Sequence, residues 1–259
     1  MGVWGKARDE TRGGWAPQGD PAAVDLSAEM ERLAASLGPL AYGQAPGHGR
    51  VLQFASARTG EGTSTVAREF ARLAAQRLRR PIWLIDTDLT GATQSATISA
   101  HPAQYGRMGG AAGGSPDGSS FFTVRPQAVD AGGAPVPPAR YLVAHPVGGP
   151  NLWVTRFRRE LMAPGQSAYV TPGSAYWDVM RRHAELIIID APSAEQSQAS
   201  IMLAPHADAT VLVVAADAGD ARPPALLKSA MTAAGGRVAG LFFNRCEIES
   251  LPILRAITP

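Results

Sequence analysis

The sequence predicts a doubly wound, mostly parallel α/β domain. Three observations predict it. Near-continuous apolar runs recur along the chain: "VLQFAS" (51–56), "PIWLID" (81–86), "LIIID" (186–190), "TVLVVAA" (210–216) and "VAGLFFN" (238–244). Such runs suit strands that helices cover on both faces. Stretches of helical periodicity lie between them, an alternation that fits parallel strands joined by right-handed crossovers. A glycine loop, "ASARTGEGTST" (55–65), separates the first strand from the helix that follows it.

In chain order, residues 1–24 are rich in Gly, Pro and mixed charge, and read as a flexible N-terminal tail. Residues 25–49 form an N-terminal helix and linker. In "DLSAEMERLAASL", Leu26, Met30, Leu33 and Leu37 make one helical stripe, with Asp25 or Ser27 as cap. "GPLAYGQAPGHG" then breaks the helix. Residues 50–259 form the main domain. Within it, residues 64–79 read as a helix with Val66, Phe70, Leu73 and Ala74 on one face and arginines on the other. Residues 101–150 contain ten Gly and eight Pro, and read as a flexible insert carrying short strands at "FFTVRP" and "RYLVAHPV". "NLWVTRF" (151–157) reads as a strand, and residues 174–183 and 224–234 as helices.

Bulk properties exclude several classes. The net charge of +2 gives no electrostatic case for nucleic acid, and no apolar run is long enough to span a bilayer. Cys246 is the single cysteine, so no intramolecular disulfide or Cys-based zinc site can form, and a reducing, cytoplasmic setting fits. The five histidines lack metal-ligand spacing, and Arg156, Arg158 and Arg159 read as a solvated cluster. Cys246 reads as a small buried or semi-buried side chain.

Three motifs carry chemistry. Backbone N–H groups of Gly60, Glu61, Gly62 and Thr63 can form an anion nest opening onto a helix N-terminus near Ser64, with Thr65 just inside. Gly60 and Gly62 allow the backbone angles and close approach that this requires. Ser64 stands where a hydroxyl meets Mg²⁺. Thr63 stands where a phosphate-binding loop carries lysine, and it supplies a hydroxyl without charge. "WLIDTDL" places Asp86 and Asp88 at the C-terminal end of a buried strand, where ligands sit in open α/β sheets. "LIIIDAPS" places Asp190 at the end of another, as a second Mg²⁺-binding motif requires.

Taken together, "SARTGEGTST", "WLIDTDLT", "IIIDAPS" and "VAGLFFNR" resemble the motifs of the bacterial tyrosine kinase (BY-kinase) branch of the deviant P-loop ATPases, related to MinD and ParA. The resemblance covers roughly residues 26–245. It implies a P-loop NTPase fold with a deviant Walker A loop. It implies ATP or ADP with Mg²⁺ as ligand, bound by Gly60, Glu61, Gly62, Thr63, Ser64, Thr65 and, at the adenine base, Asn244. Ser64, Asp86 and Asp190 would hold the metal, and Asp86 and Asp88 would act in catalysis. It also implies a role in exopolysaccharide, capsule or holdfast biosynthesis, with a membrane-bound polysaccharide co-polymerase as partner, and a homo-oligomer. The protein would be cytoplasmic, held peripherally at the inner membrane by that partner.

The chain departs from this pattern in ways that bear on activity. Thr63 replaces the loop lysine and Thr59 the proline. Ala199 replaces an aspartate. The oligomerisation pattern E-x-x-R-x-x-R survives only as Glu29, Arg32 and Ala35. No tyrosine follows Tyr176. Arg58 falls where MinD-like and ParA-like relatives carry a signature lysine, and could supply the missing charge across a dimer. The leading expectation is a degenerate, weakly nucleotide-binding member. The alternatives are an active tyrosine kinase or ATPase, a MinD/ParA-like positioning ATPase, and a nucleotide-free adaptor.

Overall fold

The computed structural model describes residues 25–41, 48–130 and 132–246. The expected N-terminal tail, part of the linker and the final segment "SLPILRAITP" lie outside the described residues. The strands are β1 (Arg50–Ala55), β2 (Ile82–Asp86), β3 (Ala112–Gly113), β4 (Phe122–Arg125), β5 (Leu142–Val147), β6 (Leu152–Phe157), β7 (Ser167–Val170), β8 (Leu186–Asp190), β9 (Ala209–Ala215) and β10 (Val238–Asn244). The helices are α1 (Ser27–Leu37), α2 (Thr63–Arg77), α3 (Thr93–Ala100), α4 (Pro102–Tyr105), α5 (Ala175–His183), α6 (Ala199–Leu203) and α7 (Arg222–Ala233).

One eight-stranded sheet runs in the order β10-β9-β1-β8-β2-β6-β5-β3. The six strands from β10 to β6 pair in parallel; β5 and β3 close one edge antiparallel. The apolar runs explain this. Strands β1, β2, β8 and β9 are buried almost throughout, so they need cover on both faces. On one face Leu52, Phe54, Leu84, Ile188 and Val211 pack beneath α1, α2 and Ile98 of α3. On the other, Val51, Ile85, Ile187 and Leu212 pack beneath α5, α6 and α7. The result is a three-layer, doubly wound domain.

The Gly/Pro-rich segment 101–150 contributes α4, β3, β4 and β5. Of these, β3 and β5 extend the main sheet, while β4 pairs with β7 in a separate two-stranded sheet. Phe121, Phe122 and Val124 are buried against Tyr176, Trp177 and Phe157. Two local readings need correction. Neither Asp25 nor Ser27 occupies the cap position of α1, which is Leu26; Asp25 instead accepts a bond from the Ser27 N–H at 3.0 Å. Cys246 is exposed rather than buried, because the chain leaves the sheet edge just before it.

Candidate nucleotide site

The glycine loop runs from the end of β1 to the first residue of α2. Gly62 precedes that helix at φ 90°, in the left-handed region that glycine adopts without strain. A Cβ on Gly62 would also lie 2.1 Å from the Asn244 side-chain nitrogen. The loop is braced from beneath. The Glu61 carboxylate is buried, accepting the Arg58 N–H at 2.8 Å and the Ala215 N–H at 3.4 Å. The segment after β8 grips the other side: Ala194 N–H donates to Ser56 O at 2.9 Å, and Glu195 accepts the Thr59 N–H at 2.9 Å. The Thr59 and Ser193 hydroxyls are 3.0 Å apart.

Parallel register brings the two strand-end carboxylates together. Asp86 and Asp190 are register partners on the adjacent strands β2 and β8, so their side chains share a face at the sheet's C-terminal edge. Both are buried. Burial raises the Asp86 carboxyl well above the usual carboxylate range, and the neighbouring Asp190 raises it further. Burial likewise raises Asp190, while Gln94 and the Ser64 hydroxyl pull it part of the way back. Asp86 also organises the start of α3: its two oxygens accept the Asp88 N–H at 3.0 Å and the Gln94 N–H at 3.1 Å. Asp88 is half-buried and turns its Oδ1 to the Thr90 N–H at 2.9 Å.

A cavity of about 290 Å³ results, walled by Arg58 to Thr65, Asp86, Asp88 and Asp190. It gathers the predicted residues Gly60, Glu61, Gly62, Thr63, Ser64 and Thr65 with the three aspartates. Asn244 is not in its wall. Its amide donates to Glu61 O at 2.9 Å, on the outer flank of the loop. The Arg58 guanidinium lies at the rim, 3.1 Å from Asp220 in the loop after β9.

The donor set fits Mg²⁺, a hard cation that prefers oxygen ligands and uses one or two carboxylates plus phosphate and water. Asp190 Oδ1 is buried with no hydrogen-bond partner, and so is the Thr63 hydroxyl. Unpartnered buried polar atoms are costly and mark places where a ligand or ion completes the set. Among the described residues no three His, Cys, Asp or Glu side chains form a cage on their own, so any cation would need phosphate and water to finish its shell.

Sequence reasoning missed Gln94 and Arg68. Gln94 is fully buried, and its Nε2 donates to Asp190 Oδ2 at 2.6 Å and to Ser64 O at 2.8 Å. Arg68, assigned from the sequence to the arginine face of α2, is buried and donates to Gln94 Oε1 at 3.0 Å. Neither belongs to a motif. Arg68 stands on the face of α2 opposite the apolar stripe, so nothing in the local sequence pattern marks its burial.

Neither protein-family models nor curated proteins match the chain. Solved structures do. The VpsO kinase domain superposes with a TM-score of 0.52 at 19% identity, covering 86% of this chain and 96% of its own. The chimerical protein CapA2B2 superposes at 0.54 and 15% identity, covering 86% of each. The kinase domain of the Escherichia coli tyrosine kinase Etk gives 0.49 at 16% identity, covering 87% of this chain and 78% of that one. The class is thus a doubly wound, mostly parallel α/β domain with a glycine loop after its first strand. More narrowly, its fold is the one seen in the VpsO kinase domain and CapA2B2, as the sequence motifs imply.

Proposed function

We propose that this protein is a degenerate BY-kinase-like P-loop protein. It binds ADP or ATP with Mg²⁺ weakly and transfers phosphate poorly or not at all. The observation that carries this reading is the cradle itself. A left-handed Gly62, a helix N-terminus, and paired Asp86 and Asp190 converge on one cavity, while Thr63 stands where a phosphate-reaching cation is needed. The loop N–H groups and the dipole of α2 favour phosphate. Ser64, Asp86 and Asp190 would hold Mg²⁺, which supplies charge neutralisation to the phosphates. Arg58 is tied to Asp220 in its own chain, which leaves the cradle short of positive charge. Phosphoryl transfer depends chiefly on such charge, so it suffers more than binding does.

In the pathway the motifs imply, such a protein serves exopolysaccharide, capsule or holdfast export. It acts at the inner membrane as a cytoplasmic, nucleotide-responsive partner of a polysaccharide co-polymerase. Among the described residues no helix is long and apolar enough to cross a membrane; in this reading the span belongs to the partner.

Calorimetric titration with Mg²⁺-ADP and Mg²⁺-ATP tests the reading, with phosphate release measured alongside. Weak binding by the parent and about 10- to 100-fold tighter binding by Thr63→Lys is the expected result, since a hydrogen bond to a charged group is worth about 1.5–3 kcal/mol. Turnover of ATP by the parent at the rate of the lysine variant would show a working enzyme instead. No binding by either protein would leave only a scaffold.

A further inference from the structure

Six hydrogen bonds lead from the cradle to the N-terminal helix without a break. Asp190 Oδ2 accepts from Gln94 Nε2 at 2.6 Å, and Gln94 Oε1 accepts from Arg68 at 3.0 Å. Arg68 Nε donates to the Tyr105 hydroxyl at 3.1 Å, and that hydroxyl donates to Glu69 Oε1 at 2.9 Å. The other oxygen of Glu69 accepts from Arg72 Nε at 2.8 Å. Arg72 then donates to the Ser27 hydroxyl, the first residue of α1, at 3.2 Å. Gln94, Arg68 and Glu69 are all under a tenth exposed, and the Arg68 guanidinium also lies over the Tyr105 ring, 5.4 Å from its centre.

These groups have little freedom to rearrange singly. Each buried member uses both ends of its side chain, so losing one bond strands a polar or charged atom away from water. Gln94 has a fixed polarity here: its amide nitrogen must face Asp190 because its oxygen faces Arg68. Whatever draws Asp190 toward a cation or a phosphate-bound water therefore pulls on Gln94. The pull passes through Arg68, Tyr105 and Glu69 to the arginine that holds the start of α1. A second tie, the Arg77–Glu31 ion pair, fastens α1 to α2 farther along.

We propose that this relay makes the docking of α1 and the orientation of the metal-binding carboxylate one coupled unit, with Gln94 and Arg68 as positioning residues. A partner that grips or displaces α1 would change affinity in the cradle, and a filled cradle would change how α1 is held. The two effects must be equal, because coupling between sites is reciprocal. Coupling to nucleotide rests on the cradle being a nucleotide site; coupling of Asp190 to α1 does not.

Hydrogen–deuterium exchange on the full, ligand-free chain tests the relay. Gln94→Met keeps the side-chain length and cuts the first two links. It should change exchange of the α1 amides by about two- to thirtyfold, the span that network couplings of 0.5–2 kcal/mol give. Amides of α7, on the opposite face of the sheet, should not follow. In a Tyr105→Phe background the same substitution should leave α1 unchanged, because the hydroxyl that joins Arg68 to Glu69 is gone. Equal changes in α1 and α7 would mean general destabilisation and would overturn the relay, as would an α1 response that survives Tyr105→Phe. If Gln94→Met does not fold, Asp190→Asn serves as the perturbation with the same controls. A parallel Mg²⁺-ADP titration should find Tyr105→Phe several-fold weaker than the parent, and equal affinity would overturn the relay. If the parent binds no nucleotide, the nucleotide reading fails and the exchange result alone decides the relay.

Discussion

Asp86 and Asp190 face each other across one strand spacing, both buried and both raised above the ordinary carboxylate range by burial, with Asp190 adding to the shift of Asp86. Their linkage to folding has a definite sign. In the unfolded chain both carboxyls lose their protons near pH 4. In the folded protein they hold them to higher pH, so between those values the folded state binds more protons. Stability is then fully present below the unfolded value and declines as pH rises through the folded ones. The melting temperature in Mg²⁺-free buffer should therefore fall between pH 5 and pH 8. Asp86→Asn should flatten that fall, since it removes one ionisation and the repulsion on its neighbour. An unchanged slope in thermal melts of the variant would contradict this account. Gly62 offers a second prediction. A methyl group there meets the Asn244 amide and sits on a left-handed backbone, so Gly62→Ala should destabilise by about 1–3 kcal/mol in urea unfolding.

At the scale of elements, the sheet was legible and the buried polar links were not. Strands β1, β2, β8 and β9 announce themselves because a strand covered on both faces must be apolar throughout. The glycine loop and the aspartates were legible because they stand at fixed offsets from those strands. The short strands β3 and β7 have no such signal: Ala112–Gly113 and Ser167–Val170 are mostly exposed and are defined by their partners. Gln94, Arg68 and Glu69 were illegible for a related reason. A charged residue on a helix reads as solvent-facing unless its distant partner is known, and Tyr105 lies 37 residues from Arg68. The same holds for Asp208, which fastens α5 to the sheet. Its carboxylate accepts the Val51 N–H at 2.7 Å and pairs with Arg50 and Arg181. Burial tends to raise this carboxyl, but the Val51 N–H and the two guanidinium groups outweigh it and hold it below the usual range. Its stabilisation is present above the unfolded value near pH 4 and is lost as pH falls through the lower folded one. Asp208→Ala strands two arginines that are only about a quarter exposed. A loss of about 2–3 kcal/mol at neutral pH is expected, shrinking toward pH 3; equal losses at both pH values in denaturant titrations would contradict it.

For the whole molecule, the cradle and the fold are one thermodynamic system. The loop is held by Glu61 against the end of β9, by the segment after β8, and by Asn244 from β10, so the cradle is braced by elements from across the sheet. A ligand that binds only the folded state stabilises it by RT ln(1 + [L]/Kd), about 2.7 kcal/mol at one hundred times Kd. For a domain of this size each kcal/mol moves the melting temperature by roughly 2–4 °C. Mg²⁺-ADP at that excess should therefore raise the parent's melting temperature by about 5–10 °C. The same total concentration should raise Thr63→Lys further, because its Kd is lower. Mg²⁺ should also oppose the alkaline fall in stability, since a bound cation favours the ionised forms of Asp86 and Asp190 that burial disfavours. Gly62→Ala should shift less than the parent, because the methyl group's clash with Asn244 displaces the loop that would hold a phosphate. A parent that melts at the same temperature with and without Mg²⁺-ADP, while Thr63→Lys shifts, would mean that a threonine at position 63 supports neither binding nor transfer. The cradle would then be a structural remnant, held in shape by Glu61, Gln94 and Arg68 and by no ligand.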